Sequence, residues 1–219
     1  MGKIRFLFAL WAARLCWVAL KITGHHGTNL PGQIANDLCP DFLDRIGKPE
    51  HIISVTGTNG KTTVNNMICD MFEASGRKVL SNRAGSNTKP GITTALINGA
   101  SFFRKTKYDV AVFETDERTT PKLYPHVKPE FILLTNLFRD SIMRNGHPEF
   151  IGGILTDNIP ASSKLILNGD DLISCAVAPN NKRVYYGINR LESDIKECIN
   201  LINDIRICPK CAGRLEYDY

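Results

Sequence analysis

The stretch from Ile52 to Thr63, Ile-Ile-Ser-Val-Thr-Gly-Thr-Asn-Gly-Lys-Thr-Thr, restricts the fold of this chain more than any other. A β-branched apolar run reads as a buried strand, stops at a glycine-containing loop, and is followed by a Lys-Thr pair that opens a helix. Backbone N–H groups of such a loop and of the helix N-terminus face one point and form an anion cradle. Residues Gly57, Thr58, Asn59, Gly60, Lys61, Thr62 and Thr63 would make that cradle. Lys61 would reach the β/γ-phosphates of a nucleotide and the Thr62 hydroxyl would ligate Mg²⁺. The eight-residue phosphate-loop pattern is incomplete, since Val55 stands where its first glycine belongs. A Gly-Asn turn with a solvated lysine is the plainer alternative, and the strand–loop–helix context argues against it.

From here the chain alternates. Strands are expected at His51–Thr56, Lys78–Asn82, Tyr108–Thr115, Phe131–Asn136, Lys164–Asn168 and Arg183–Ile188. Helices are expected from Thr62 to about Ser75, ended by Gly76, near Ile92–Asn98, and over Glu149–Asn158. Strands alternating with helices predict an α/β fold of P-loop type, a mainly parallel sheet with helices on both faces. Ligands of such sheets sit beyond the C-terminal ends of the strands. The polar residues Lys61, Glu114, Glu117, Asn136 to Asp140 and Asn168 to Asp171 fall there.

A carboxylate that ends an apolar strand is costly unless paired or bound to a cation. Glu114 therefore reads as a Mg²⁺ ligand, or as a rim acid salt-bridged to a nearby lysine. Asp140 has a catalytic reading and a plain one, a surface acid beside Arg139 or Arg144. Asn168, Asp170 and Asp171 make either a turn or a contact to the base or ribose.

The remaining features bound the context. The chain carries 27 Lys plus Arg against 22 Asp plus Glu, and the surplus is scattered, so nucleic-acid binding is not implied. The cysteines number 7, an odd count without a disulfide rhythm, which suggests a reducing compartment, the cytoplasm. Lys3 and Arg5 precede an apolar run like that of a signal peptide, but Arg14 interrupts it and no cleavage site follows. The expectation is a helix that packs on the domain or reaches the inner face of the membrane, at most a peripheral contact. His25 and His26 lie in a turn-rich connector, where adjacent histidines point apart and are more often solvated than metal-bound. Cys208 and Cys211 have the spacing of one zinc knuckle, with two free cysteines in a turn as the alternative.

Taken together, Thr56 to Thr63, Glu114, Asn136-Leu137-Phe138-Arg139-Asp140 and Asn168-Gly169-Asp170-Asp171 resemble the central domain of the Mur ligases. Gly27 to Gly32, Asn82 to Asn87, Leu137 to Asp140 and Cys208-Pro209-Lys210-Cys211 are similar to the MurT-type branch of that family, the ligase subunits of lipid II isoglutaminyl synthase. The resemblance implies an ATP- and Mg²⁺-dependent ligase. It would activate the α-carboxyl of D-glutamate in lipid II as an acyl phosphate, for amidation to isoglutamine with ammonia from a GatD-type glutamine amidotransferase. It also implies catalytic roles for Lys61, Glu114 and Asp140, and nucleotide contacts from the phosphate loop, Asn136, Asn168, Asp170 and Asp171. The chain would divide into an N-terminal helix and connector at 1–47, the ATP-binding domain at 48–205, and the first half of a zinc-ribbon-like insertion at 206–219. A second cysteine pair and a C-terminal ligase domain would be absent, so that a non-catalytic nucleotide-binding fragment is the competing reading. A Mur-like ligase for another carboxylate, such as a folate, is a further one. Ser141, Met143 and Asn145 depart from the family pattern.

Overall fold

A computed structural model describes residues 2–25, 27–102, 105–138, 147–189, 192, 207–208 and 211–215. The chain divides into two compact units, Met1–Tyr186 and Gly187–Tyr219.

In the first unit, β1 (His51–Thr56), β2 (Val79–Ser81), β3 (Val110–Glu114), β4 (Phe131–Leu134), β5 (Lys164–Asn168) and β6 (Arg183–Tyr186) form one sheet in the order β2-β3-β1-β4-β5-β6. Every neighbouring pair is parallel. The helices are α1 (Gly2–Ile22), α2 (Leu30–Leu38), α3 (Phe42–Arg45), α4 (Lys61–Ala74), α5 (Lys89–Gly99), α6 (Thr120–Val127), α7 (Pro148–Asn158) and α8 (Leu172–Ala176), with a 3₁₀ turn at Glu117–Thr119 leading into α6. This is the parallel α/β architecture that the alternating pattern predicts.

Period-two alternation sorts the strand residues between two apolar layers. Val55, Val110 and Val112 pack with Cys69 and with Val64, Ile68 and Phe72 of α4. Ile52, Ala111, Phe113, Ile132, Leu134, Leu165 and Leu167 join the larger layer with residues of α1, α2, α5, α6 and α7. With both faces covered and β3 and β4 on either side, β1 is buried along its C-terminal half, and the loop after it starts from a packed base.

The apolar run near the N-terminus is built into the fold. Phe6, Ala9, Leu10 and Ala13 recur at helical spacing and are buried. Phe6 stacks on Phe42 with centroids 5.0 Å apart. The charges that interrupt the run are anchors. Arg14 donates to the carbonyls of Ala100 at 2.7 Å and Ser101 at 2.9 Å, just past the C-terminal end of α5, and Arg5 donates to Leu38 O at 2.6 Å at the end of α2. A cation at a helix C-terminus meets orphan carbonyls and the negative end of the dipole. Among the described residues, no helix is long and apolar enough to cross a membrane.

Helix α6 has no counterpart in the sequence expectations. Pro121 falls in its first turn, where no N–H is needed, and burial of Leu123, Tyr124 and Val127 offsets the bond lost at Pro125. In the second unit, Ile207 pairs with Arg214 in an antiparallel bridge, and Cys208 N–H donates to Gly213 O at 2.8 Å. This tight turn carries Cys208 and Cys211. No group of three or more His, Cys, Asp or Glu gathers to hold a metal among the described residues. Asp140, Ser141, Met143 and Asn145 lie outside the described residues.

Candidate nucleotide site

The loop between β1 and α4 is held against the end of β4. Thr58 N–H donates to Asn136 O at 2.7 Å. The Asn136 carboxamide accepts from Asn59 N–H at 3.0 Å and donates to Asn59 O at 3.2 Å, a two-point clamp on one residue. The Thr58 hydroxyl accepts from Phe138 N–H at 3.2 Å and donates to Phe138 O at 3.3 Å. Such an approach requires a glycine at position 57. Its φ is +125°, and a Cβ there would stand 2.3 Å from Thr135 Oγ1 and 2.8 Å from Asn136 O.

Lys61, first residue of α4, folds back onto the loop. Its ammonium donates to Gly57 O, to Thr58 O at 3.2 Å and to Glu117 Oε1 at 3.3 Å. The same Glu117 oxygen accepts from Gly57 N–H at 2.8 Å. Glu117 is 3% exposed. Burial pushes its carboxyl above the ordinary carboxylate range, and the Lys61 charge opposes that shift. The lysine pairing considered for Glu114 thus falls to Glu117, whose role sequence reasoning missed. The partners are 56 positions apart, and only the fold brings the end of β3 to the loop after β1.

Glu114 faces the other side of the loop. Its Oε2 accepts from the Thr62 hydroxyl at 2.7 Å, and its Oε1 from Asn87 Nδ2 at 3.2 Å. Asn82 fixes the backbone beneath it, donating to Glu114 O and accepting from Glu114 N–H, each at 2.9 Å. Thr62 and Glu114 therefore present two hard oxygens to one point, a donor set that suits Mg²⁺. An open groove runs across these groups, lined by Thr58 to Thr63, Asn87, Glu114, Asp116, Glu117 and Arg118. It can hold a polyanion on backbone N–H groups with a cation at its edge.

The other residues expected at the nucleotide are not on that groove. The Asn136 amide is spent on the loop backbone. Asn168 donates to Thr135 O at 3.0 Å and accepts from Asp170 N–H at 3.0 Å, closing the turn after β5. Asp171 is buried. It accepts from Leu137 N–H at 2.6 Å, from Ile173 N–H at 3.1 Å as N-cap of α8, and from the Ser174 hydroxyl. Its carboxylate holds the segment after β4 in place. Asp170 is exposed and outside the groove lining.

Residues 55–204 match the Mur ligase middle domain. The chain is 34% identical over 214 residues to the lipid II isoglutaminyl synthase (glutamine-hydrolyzing) subunit MurT of Staphylococcus aureus, a match covering 96% of this chain and 48% of that protein. It thus spans about half the length of the curated relatives it matches. Among solved structures, a pseudomurein peptide ligase type C from Methanothermus fervidus superposes with a TM-score of 0.62 at 26% identity, over 82% of this chain and 34% of that one. The MurF ligase of Thermotoga maritima, solved in complex with ADP, shares the fold at a TM-score of 0.57 and 17% identity, over 72% of this chain and 36% of that one. With its parallel sheet and phosphate-loop geometry, and with these matches, the chain belongs to the Mur ligase family.

Proposed function

We propose that this chain is the ATP-binding part of a peptidoglycan amide ligase that activates the α-carboxyl of D-glutamate in lipid II as an acyl phosphate. Ammonia from a GatD-type glutamine amidotransferase would then give the isoglutamine amide. One observation carries the reading. The Thr62 hydroxyl and the Glu114 carboxylate meet at 2.7 Å beside a phosphate loop whose lysine is held within reach.

A carboxylate is a poor acyl donor, and bound ATP supplies the phosphoryl group that gives it a leaving group, with Mg²⁺ neutralising charge. Lys61 would exchange its contacts to Gly57 O and Thr58 O for phosphate oxygens. Its charge then stabilises the transferring phosphoryl group, in chemistry that rests on positioning and electrostatics. Glu117 keeps Gly57 N–H in place while Lys61 moves. Thr62 and Glu114 would hold the cation, and Asn82 and Asn87 keep Glu114 from turning away. Cys208 and Cys211 would supply two of the four thiolates that a closed zinc site needs. Zinc content of the wild type against Cys208→Ser tests that assignment.

The decisive assay supplies ATP, Mg²⁺, glutamine, lipid II and the amidotransferase, and reads phosphate release together with the amidated product by mass spectrometry. Lys61→Ala is expected to abolish nucleotide binding or turnover. Unchanged affinity and activity would overturn its role. A second reading is nucleotide binding without turnover. Tight ATP binding with no product would establish it and sink the ligase reading for this chain. Turnover with a folate in place of lipid II would move the substrate assignment.

A further inference from the structure

Helix α1 is apolar on two faces, and among the described residues one is buried in the core while the other is largely exposed. Opposite the buried Phe6, Ala9, Leu10 and Ala13, the residues Ile4, Phe8, Trp11, Leu15, Val18 and Ile22 recur at steps of three and four and form one stripe. Ile4 is 77% exposed, Phe8 65%, Leu15 68% and Ile22 80%. Trp11 meets Phe102 edge-on at 4.4 Å, which widens the surface. The helix has 21 residues, so the stripe runs about 30 Å. A solvent-facing apolar stripe of that length calls for an occupant.

Charge identifies the occupant. No Asp or Glu precedes Asp37, while Lys3, Arg5, Arg14 and Lys21 lie in the helix. Lys3 and Lys21 are exposed at its two ends, and Lys21 stands over the Trp17 ring at 4.3 Å. Two copies of α1 meeting through this stripe would bring helices together that carry cations and no acid. An anionic lipid surface accepts both features, the acyl boundary taking the apolar side chains and the headgroups the lysines. We infer that α1 is an interfacial helix that lays its outer stripe on an anionic bilayer, parallel to the membrane plane. The inference stands apart from the ligase reading, since no residue of the groove takes part.

Cosedimentation of the full chain with vesicles tests it, comparing phosphatidylcholine alone with phosphatidylcholine containing phosphatidylglycerol. Partitioning onto the anionic vesicles is expected to be roughly tenfold stronger and to weaken several-fold in high salt. Phe8→Asp combined with Leu15→Asp is expected to lower it about tenfold, with nucleotide affinity retained as the check on folding. A second measurement avoids changing the stripe. The chain has 2 tryptophans, so Trp17→Phe leaves Trp11 as sole reporter, and its emission is expected to shift to the blue on anionic vesicles. Absence of binding to both vesicle types overturns the inference. So does binding that the double variant leaves unchanged, or a Trp11 emission that does not move. A wild-type dimer that the double variant dissolves, with no vesicle binding, would assign the stripe to a second copy instead.

Discussion

Replacing Gly57 by alanine tests whether the phosphate loop is held as described. Two costs add at this position. The first is conformational, because φ is +125°, a region that L side chains rarely enter, and strain of this kind costs about 1–3 kcal/mol. The second is steric. The new Cβ would meet Thr135 Oγ1 at 2.3 Å, Asn136 O at 2.8 Å and Asn136 N at 3.0 Å. Two of these atoms are backbone and cannot rotate away, so the end of β4 must shift, at an overpacking cost of about 1–3 kcal/mol. Gly57→Ala should therefore lose about 2–6 kcal/mol in urea unfolding. Gly60 provides the internal comparison. Its φ is +78°, yet nothing lies within 4 Å of a Cβ there. Gly60→Ala should lose only about 1 kcal/mol. The shift in Gly57→Ala also opens the 2.7 Å bond from Thr58 N–H to Asn136 O, so affinity for a fluorescent ATP analogue should fall at least about tenfold, equivalent to roughly 1.4 kcal/mol. Equal stabilities of the two variants would refute the close approach of the loop to β4.

Other substitutions separate the roles of the surrounding carboxylates. Glu114→Gln removes charge from the proposed cation site, so ATP affinity should cease to rise with added Mg²⁺, as titration calorimetry with and without the metal would show. Glu117→Gln addresses linkage. Because burial raises the Glu117 carboxyl, the folded chain takes up that proton before the unfolded chain does. This stability is fully present below the ordinary carboxylate value and is lost as pH rises through the folded value. The variant should therefore gain on the wild type as pH rises past the ordinary carboxylate value in parallel denaturation curves, and a gap independent of pH would contradict the burial argument. Asp171→Ala strands the N–H groups of Leu137 and Ile173 and the Ser174 hydroxyl, which should cost about 2–4 kcal/mol. Nucleotide affinity per folded molecule should change little, and a large selective loss would return Asp171 to the ligand.

The parts of this protein that could be read in advance are those governed by local pattern. β1 and β5 span the residues that their apolar runs and flanking polar residues predict, His51–Thr56 and Lys164–Asn168. The glycine-lysine loop is legible because it spans few residues and its glycines serve one geometry. Helix α6 was hidden by Pro121 and Pro125, which punctuate a sequence, whereas in the fold one proline is harmless and the other is offset by burying Tyr124 and bonding its hydroxyl to Ser54 at 2.9 Å. The site divides in the same way. Glu114 stood out because it ends an apolar strand. Glu117 had a legible position and no legible role, since its partner, Lys61, arrives from the start of α4. Asp171 admits a turn or a ligand contact, and an acid just before an apolar helical turn is also a capping signal. Local sequence cannot decide whether such a carboxylate faces solvent or a backbone N–H.

The fastening of α1 by Arg5 and Arg14 bears on how this protein can be shortened. A version lacking α1 would strip the cover from Phe42, and would leave the carbonyls of Ala100 and Ser101 without the guanidinium that now occupies them. The leading helix is thus a wall of the nucleotide-binding body, and trimming it as a dispensable leader would remove part of the building.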